Sequence, residues 1–90
     1  MVPEQRRELI SEALDSLQEW FGCHKTVETA FGRQKTENGY TISEIRVSDH
    51  WVSITVYVRD RSVKKKDVER GGDLAYFSYD IKNKKMKEIK

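Results

Sequence analysis

Ninety residues, with 17 Lys/Arg against 15 Asp/Glu and a formal net charge of +2, leave room for one domain and a small core. Apolar residues make up 37% and charged residues 36%, yet the apolar ones recur at regular spacing, which excludes wholesale disorder. A lone cysteine, Cys23, excludes an internal disulfide and any paired-cysteine metal or redox motif, and no apolar run approaches the ~20 residues of a membrane span.

These features predict a cytoplasmic protein of a reducing compartment. The charge is unevenly placed. Residues 1–58 carry six Lys/Arg and nine Asp/Glu, or −3, whereas residues 59–90 carry eleven and six, or +5. A basic C-terminal third favours an anionic partner, though the field is modest for a dedicated nucleic-acid binder.

The chain opens with a predicted helix over 3–21. Pro3 suits the first helical position, and Leu9, Ile10, Ala13, Leu14, Leu17, Trp20 and Phe21 form one apolar stripe at helical spacing. Gly22 is the expected left-handed residue that closes it.

From Thr26 the period changes to two. Strands are expected at about 26–36, 40–48, 51–60, 74–82 and 85–89. Asn38-Gly39 is a strong type I′ turn signal, and that turn would set Arg33 against Glu44, Phe31 against Arg46 and Gly32 against Ile45. A second turn at Asp49-His50 would set Val47 against Val52, Ile45 against Ile54 and Ser43 against Val56. Together the turns put Ile45, Val47, Val52, Ile54, Val56 and Val58 on one side of the sheet, beneath the helix, with Ala30 and Gly32 admitting it closely. Ala75, Phe77, Tyr79 and Ile81 share one parity in the fourth strand. An Asn83-Lys84 turn would place Met86 against Ile81 and Lys87 against Asp80. The expected fold is α+β, with one N-terminal helix on one face of a four- to five-stranded antiparallel meander.

The uncovered face should then present Phe31, Arg33 and Lys35, then Tyr40, Ile42, Glu44 and Arg46, then Trp51, Ser53, Thr55, Tyr57 and Arg59, with Tyr76 and Ser78. Rings interleaved with arginine suit a contact surface, because Tyr and Trp offer wide area at low entropy cost and Arg pairs with carboxylate or phosphate as a fork. Phe31, Arg46, Trp51, Tyr57, Arg59 and Tyr76 are the candidate binding residues, for a protein partner or a second copy of the chain. Tyr and Thr also face outward simply because they favour strands and pair across them.

The stretch 60–73, DRSVKKKDVERGGD, mixes both signs of charge and ends in two glycines before the last. It reads as a contact loop or a solvated connection. It lacks the G-x-x-x-x-G-K-[ST] order of a phosphate-cradling loop. A second reading makes it a nonspecific nucleic-acid arm, with Lys64, Lys65, Lys66 and Arg70, joined by Lys84 and Lys85, contacting phosphates.

No constellation in the chain points to catalysis, a metal or a cofactor. Cys23 and His24 are adjacent, so on an extended segment they point apart and cannot act as nucleophile and base. Two histidines and one cysteine show no metal-ligand spacing. In outline a helix on a meander is similar to cystatin-like and PepSY-type folds. YDIKNKKM, Tyr79 to Met86, resembles the closing hairpin of the latter, with Lys84 where glycine is usual. The Q-x-V-x-G loop of cystatins is absent, so protease inhibition is not implied. The expected function is that of a small, non-catalytic regulatory or inhibitory binding protein.

Overall fold

The computed structural model describes residues 2–29, 32–59 and 73–89. It begins with helix α1 (Pro3–Cys23), with Pro3 in its first turn. Ala13, Leu17, Trp20 and Phe21 are its buried residues, and Leu9 and Leu14 pack against the same core. Gly22 does not close the helix as expected, because the helix runs on through Cys23. His24 ends it instead. Its backbone N–H donates to Trp20 O at 3.0 Å, its Nδ1 lies 2.8 Å from the same oxygen, and its ring stacks on the Trp20 indole at 4.0 Å. Those bonds satisfy an orphan carbonyl of the last turn without a left-handed residue.

The first expected strand is in fact two. β1 (Thr26–Thr29) pairs antiparallel with β2 (Gly32–Lys35), Thr29 facing Gly32 and Thr26 facing Lys35, as a separate two-stranded sheet. Gly32 has φ 115, in the region that favours glycine, so its role is conformational and not close approach to the helix. Nothing lies within 4 Å of where its Cβ would stand.

Asn38-Gly39 is likewise not a hairpin turn. A 3₁₀ turn at Thr36–Asn38 leads into Gly39 at φ 89 and ψ 171. Thr36 pins this turn to the helix end, its N–H donating to Lys25 O and its hydroxyl to His24 O. The Gly39 carbonyl accepts the Arg59 N–H at 3.0 Å. Since Gly39 occupies a region almost closed to side chains, Gly39→Ala should destabilise by about 1–3 kcal/mol. Urea unfolding measures this, and a loss below about 0.3 kcal/mol would contradict the backbone conformation.

The main sheet contains β3 (Tyr40–Val47), β4 (Trp51–Val58), β5 (Asp73–Asp80) and β6 (Lys85–Ile89), in that spatial order and all antiparallel. The turn at Asp49-His50 gives the expected Val47–Val52 and Ile45–Ile54 pairs. Ser48 closes it, with both its N–H and its hydroxyl donating to Trp51 O at 2.9 Å. The register then shifts between Ile42 and Glu44, so Ile42, not Ser43, faces Val56. This β-bulge reverses the parity of everything before it. Tyr40 and Ile42, expected on the uncovered face, pack against the core, and the Tyr40 ring stacks on Phe21 at 4.2 Å.

β6 also pairs two residues away from the expected register, with Met86 facing Tyr79 and Lys85 facing Asp80. A shift of two preserves which side chains share a face. The four-residue connection 81–84 contains Lys84 at φ 53.

Val52, Ile54, Val56 and Val58 from β4, with Ala75, Phe77 and Tyr79 from β5, form the covered face with α1 and Val27 of β1. Phe77 meets the rings of Trp20 at 4.8 Å and Phe21 at 5.6 Å. Helix α1 touches both sheet edges, β3 and β6. The Tyr79 hydroxyl donates to Glu12 Oε1 at 2.8 Å, and Lys84 Nζ stands 3.8 Å from that oxygen. Burial, then the Glu12 carboxylate, pushes the Tyr79 phenol above its ordinary value. The α+β class and the helix on one face of an antiparallel sheet are as the sequence predicts. One face is therefore covered and the other is open.

Candidate functional site

The register defines the open face row by row. One row holds Glu44, Thr55, Tyr76 and Ile89; the next holds Arg46, Ser53, Ser78 and Lys87. Trp51, Asp80 and Lys85 lie beyond on one side, and Thr41, Tyr57 and Leu74 on the other. Tyr57 and Tyr76 are thus diagonal cross-strand neighbours, close enough for long side chains to touch. Trp51, Tyr76 and Ile89 are 48%, 46% and 44% exposed, three of the four large apolar side chains that stand out into solvent among the described residues. Single exposed apolar residues mean little, but three on one sheet face form a patch.

Between Trp51 and Ile89 the paired serines 53 and 78 are too small to fill the surface. They floor a shallow groove lined also by Lys87 and Glu88. An adjoining hollow shares Trp51, Ser78 and Lys87 and extends to His50, Asp80, Lys85 and Met86. Two aromatic or aliphatic walls, a small polar floor and lysines on the strand at the rim make a site that can grip a side chain and pair a charge. They do not assemble a nucleophile with a base.

The charges on this face are not equivalent. Arg46 Nε donates to Glu44 Oε1 at 2.6 Å, so that pair is internally balanced. Asp80 is occupied by its own turn. Its carboxylate accepts from the Asn83 side chain at 2.8 Å and from the N–H groups of Lys82 and Asn83 at 3.0 and 3.2 Å. The Asn83 amide, followed by the Asn83 backbone, holds the Asp80 carboxyl below its ordinary value. Lys85 faces Asp80 in the ladder but forms no ion pair with it, and Lys87 pairs with no carboxylate among the described residues.

Of the six residues expected to bind, Arg46, Trp51, Tyr57 and Tyr76 do share the open face. Arg59 follows β4 and reaches Thr41 of the same face, Nε to Oγ1 at 3.0 Å. Phe31 lies outside the described residues, as do Lys64, Lys65, Lys66 and Arg70 of the alternative set and the loop 60–72. Of the remaining alternative residues, Lys85 is on the open face while Lys84 turns toward Glu12 on the helix. Arg33 and Lys35 belong to the separate hairpin, where Arg33 pairs with Glu28 and Lys35 with Glu37, each at 3.8 Å. The expected Arg33–Glu44 pair is therefore absent. Leu74 and Ile89 were not foreseen on this face. The alternation of β5 could have shown Leu74, since 74, 76, 78 and 80 share a parity. Ile89 required the β5–β6 register.

Cys23 is exposed at the last residue of α1, and the His24 ring is engaged in ending that helix. Among the described residues no three His, Cys, Asp or Glu side chains come together to hold a metal ion. No helix among them is long and apolar enough to cross a membrane. Comparison with protein-family models, with curated proteins and with solved structures gives no match to this chain.

Proposed function

We propose that this chain is a non-catalytic binding protein whose open sheet face docks on a protein partner. The observation that carries this reading is the grouping of Trp51, Tyr76 and Ile89, each nearly half exposed, on the one face that neither the helix nor the hairpin covers. Aromatic anchors in the centre of an interface are where binding energy concentrates, about 2 kcal/mol or more per hot-spot side chain. A different protein is favoured over a second copy. The open face holds Arg46, Lys85 and Lys87 against Glu44 and Asp80, so two copies meeting face to face would set net positive against net positive, and like charges across an interface cost affinity.

The test is a variant carrying Trp51→Ser and Tyr76→Ser, with its fold checked by circular dichroism. Wild-type protein should retain a partner from native lysate that reassociates when both are purified, and the double variant should lose it by at least about a hundredfold. Equal retention by the folded double variant would end the proposal. Nucleic acid is a second reading because Lys85 and Lys87 stand near exposed rings, a combination that also serves single strands. It predicts affinity for an oligothymidylate that falls steeply with log salt.

A further inference from the structure

We infer that the partner presents an acidic, extended polypeptide segment along β6, over the groove floored by Ser53 and Ser78; this rests on the protein-binding reading above. β6 is an edge strand, and no described strand pairs with its outer side. Lys85 and Lys87 point to the open face two residues apart, so their positions repeat at about 7 Å. Carboxylates on alternate residues of an extended peptide repeat at the same distance. An apolar residue between or beside them has a seat against Trp51 and Ile89.

The sign of the charge selects the occupant. The carboxylates nearest these lysines are already engaged, Glu88 at the groove wall by the Glu28 N–H of β1, Asp80 by its turn and Glu44 by Arg46, so Lys85 and Lys87 keep no ion pair among the described residues. Lysines on an edge strand repel an identical edge and thereby discourage pairing between copies. An acidic strand removes that repulsion on contact. A nucleic acid is served less well. Two lysines and Arg59 give about three phosphate contacts, too few for firm binding near physiological salt.

The experiment uses a random Glu–Tyr copolymer and an oligothymidylate of twenty nucleotides as probes, at about 0.15 M salt. Wild-type protein should bind the copolymer. Lys85→Glu with Lys87→Glu should weaken that binding at least about tenfold, as loss of two charge pairs implies. Trp51→Ser should weaken it as well, while Lys82→Glu, in the turn and off the groove, should leave it unchanged. The inference is overturned if the copolymer does not bind, if the lysine reversal has no effect, or if the oligothymidylate binds more tightly. Should the lysine reversal leave capture of the native partner intact while Trp51→Ser with Tyr76→Ser abolishes it, the acidic segment falls and the contact face stands. Should neither variant affect capture, both fall.

Discussion

Replacing Phe77 by alanine is expected to destabilise the protein by about 3–5 kcal/mol, the range for removing a buried aromatic ring. Phe77 is 1% exposed, faces Ile54 across the ladder, and meets Trp20 edge-on at 4.8 Å and Phe21 at 5.6 Å. These three neighbours come from α1 and from β4, so neither element can move in alone to refill the space. A chain of 90 residues has only about 5–13 kcal/mol of stability, so the change removes roughly a quarter of it or more. The midpoint of thermal unfolding should fall by roughly 15–30 °C. Phe77→Leu, which keeps most of the volume, should cost about 1.5 kcal/mol or less, and Ser78→Ala, one residue on and facing the other way, about 0.5 kcal/mol or less. If Phe77→Ala and Ser78→Ala cost the same in urea, the helix does not cover the face assigned to it.

The parts of this architecture that could be read from residues alone are those where one period ran unbroken into one tight turn. The stripe from Leu9 to Phe21 has a single helical phase, and Val52, Ile54, Val56 and Val58 alternate without interruption. Asp49-His50 joined two such runs, and its register held. Failure came where two conformations share a signal. Glycine at positive φ serves a type I′ turn, but Gly39 uses its freedom at ψ 171 to leave a 3₁₀ turn, and Gly32 uses its own at the start of β2. Nothing in the letters Asn-Gly distinguishes these. An uninterrupted strand of eleven residues was the weaker assumption, because Gly32 lay inside it and an interior glycine often marks a bend.

The parity of β3 was more legible than the turn. Tyr40 and Ile42 are even, Ile45 and Val47 are odd, and four large apolar residues cannot share a face at those numbers without one extra residue between them. Ser43 is that residue. The consequence for the candidate surface is direct. Tyr40 and Ile42 leave it for the core, Thr41 takes their place, and the open face shifts its weight toward Trp51, Tyr76, Ile89 and the lysines of β6. The last of these depended on Lys84 taking a positive φ, which side chains alone do not announce.

The bulge makes two tyrosines of similar sequence setting unequal, and Tyr40→Ser should cost about 2–3 kcal/mol against about 1 kcal/mol or less for Tyr57→Ser. Tyr40 stacks on Phe21 at 4.2 Å with the ring planes 21° apart, so its loss exposes a core ring of α1. Tyr57 faces Thr41 and Leu74 on the open side, where its removal takes away only cross-strand packing. The two substitutions should also part in function. Tyr57→Ser should weaken capture of the protein partner at native-like stability, whereas folded Tyr40→Ser should retain it. A third difference appears in alkali. Burial raises the Tyr40 phenol above its ordinary 10.0, so the folded state holds that proton more tightly than the unfolded chain does. The resulting stability is present at neutral pH and is lost as pH climbs above about 10 toward the folded value. Tyr40→Ser should therefore flatten part of the alkaline decline in stability, to which the Tyr79 phenol, raised in the same direction, also contributes. Equal costs for the two serine variants, with equal alkaline slopes, would place both rings on one face and remove the bulge at Ser43.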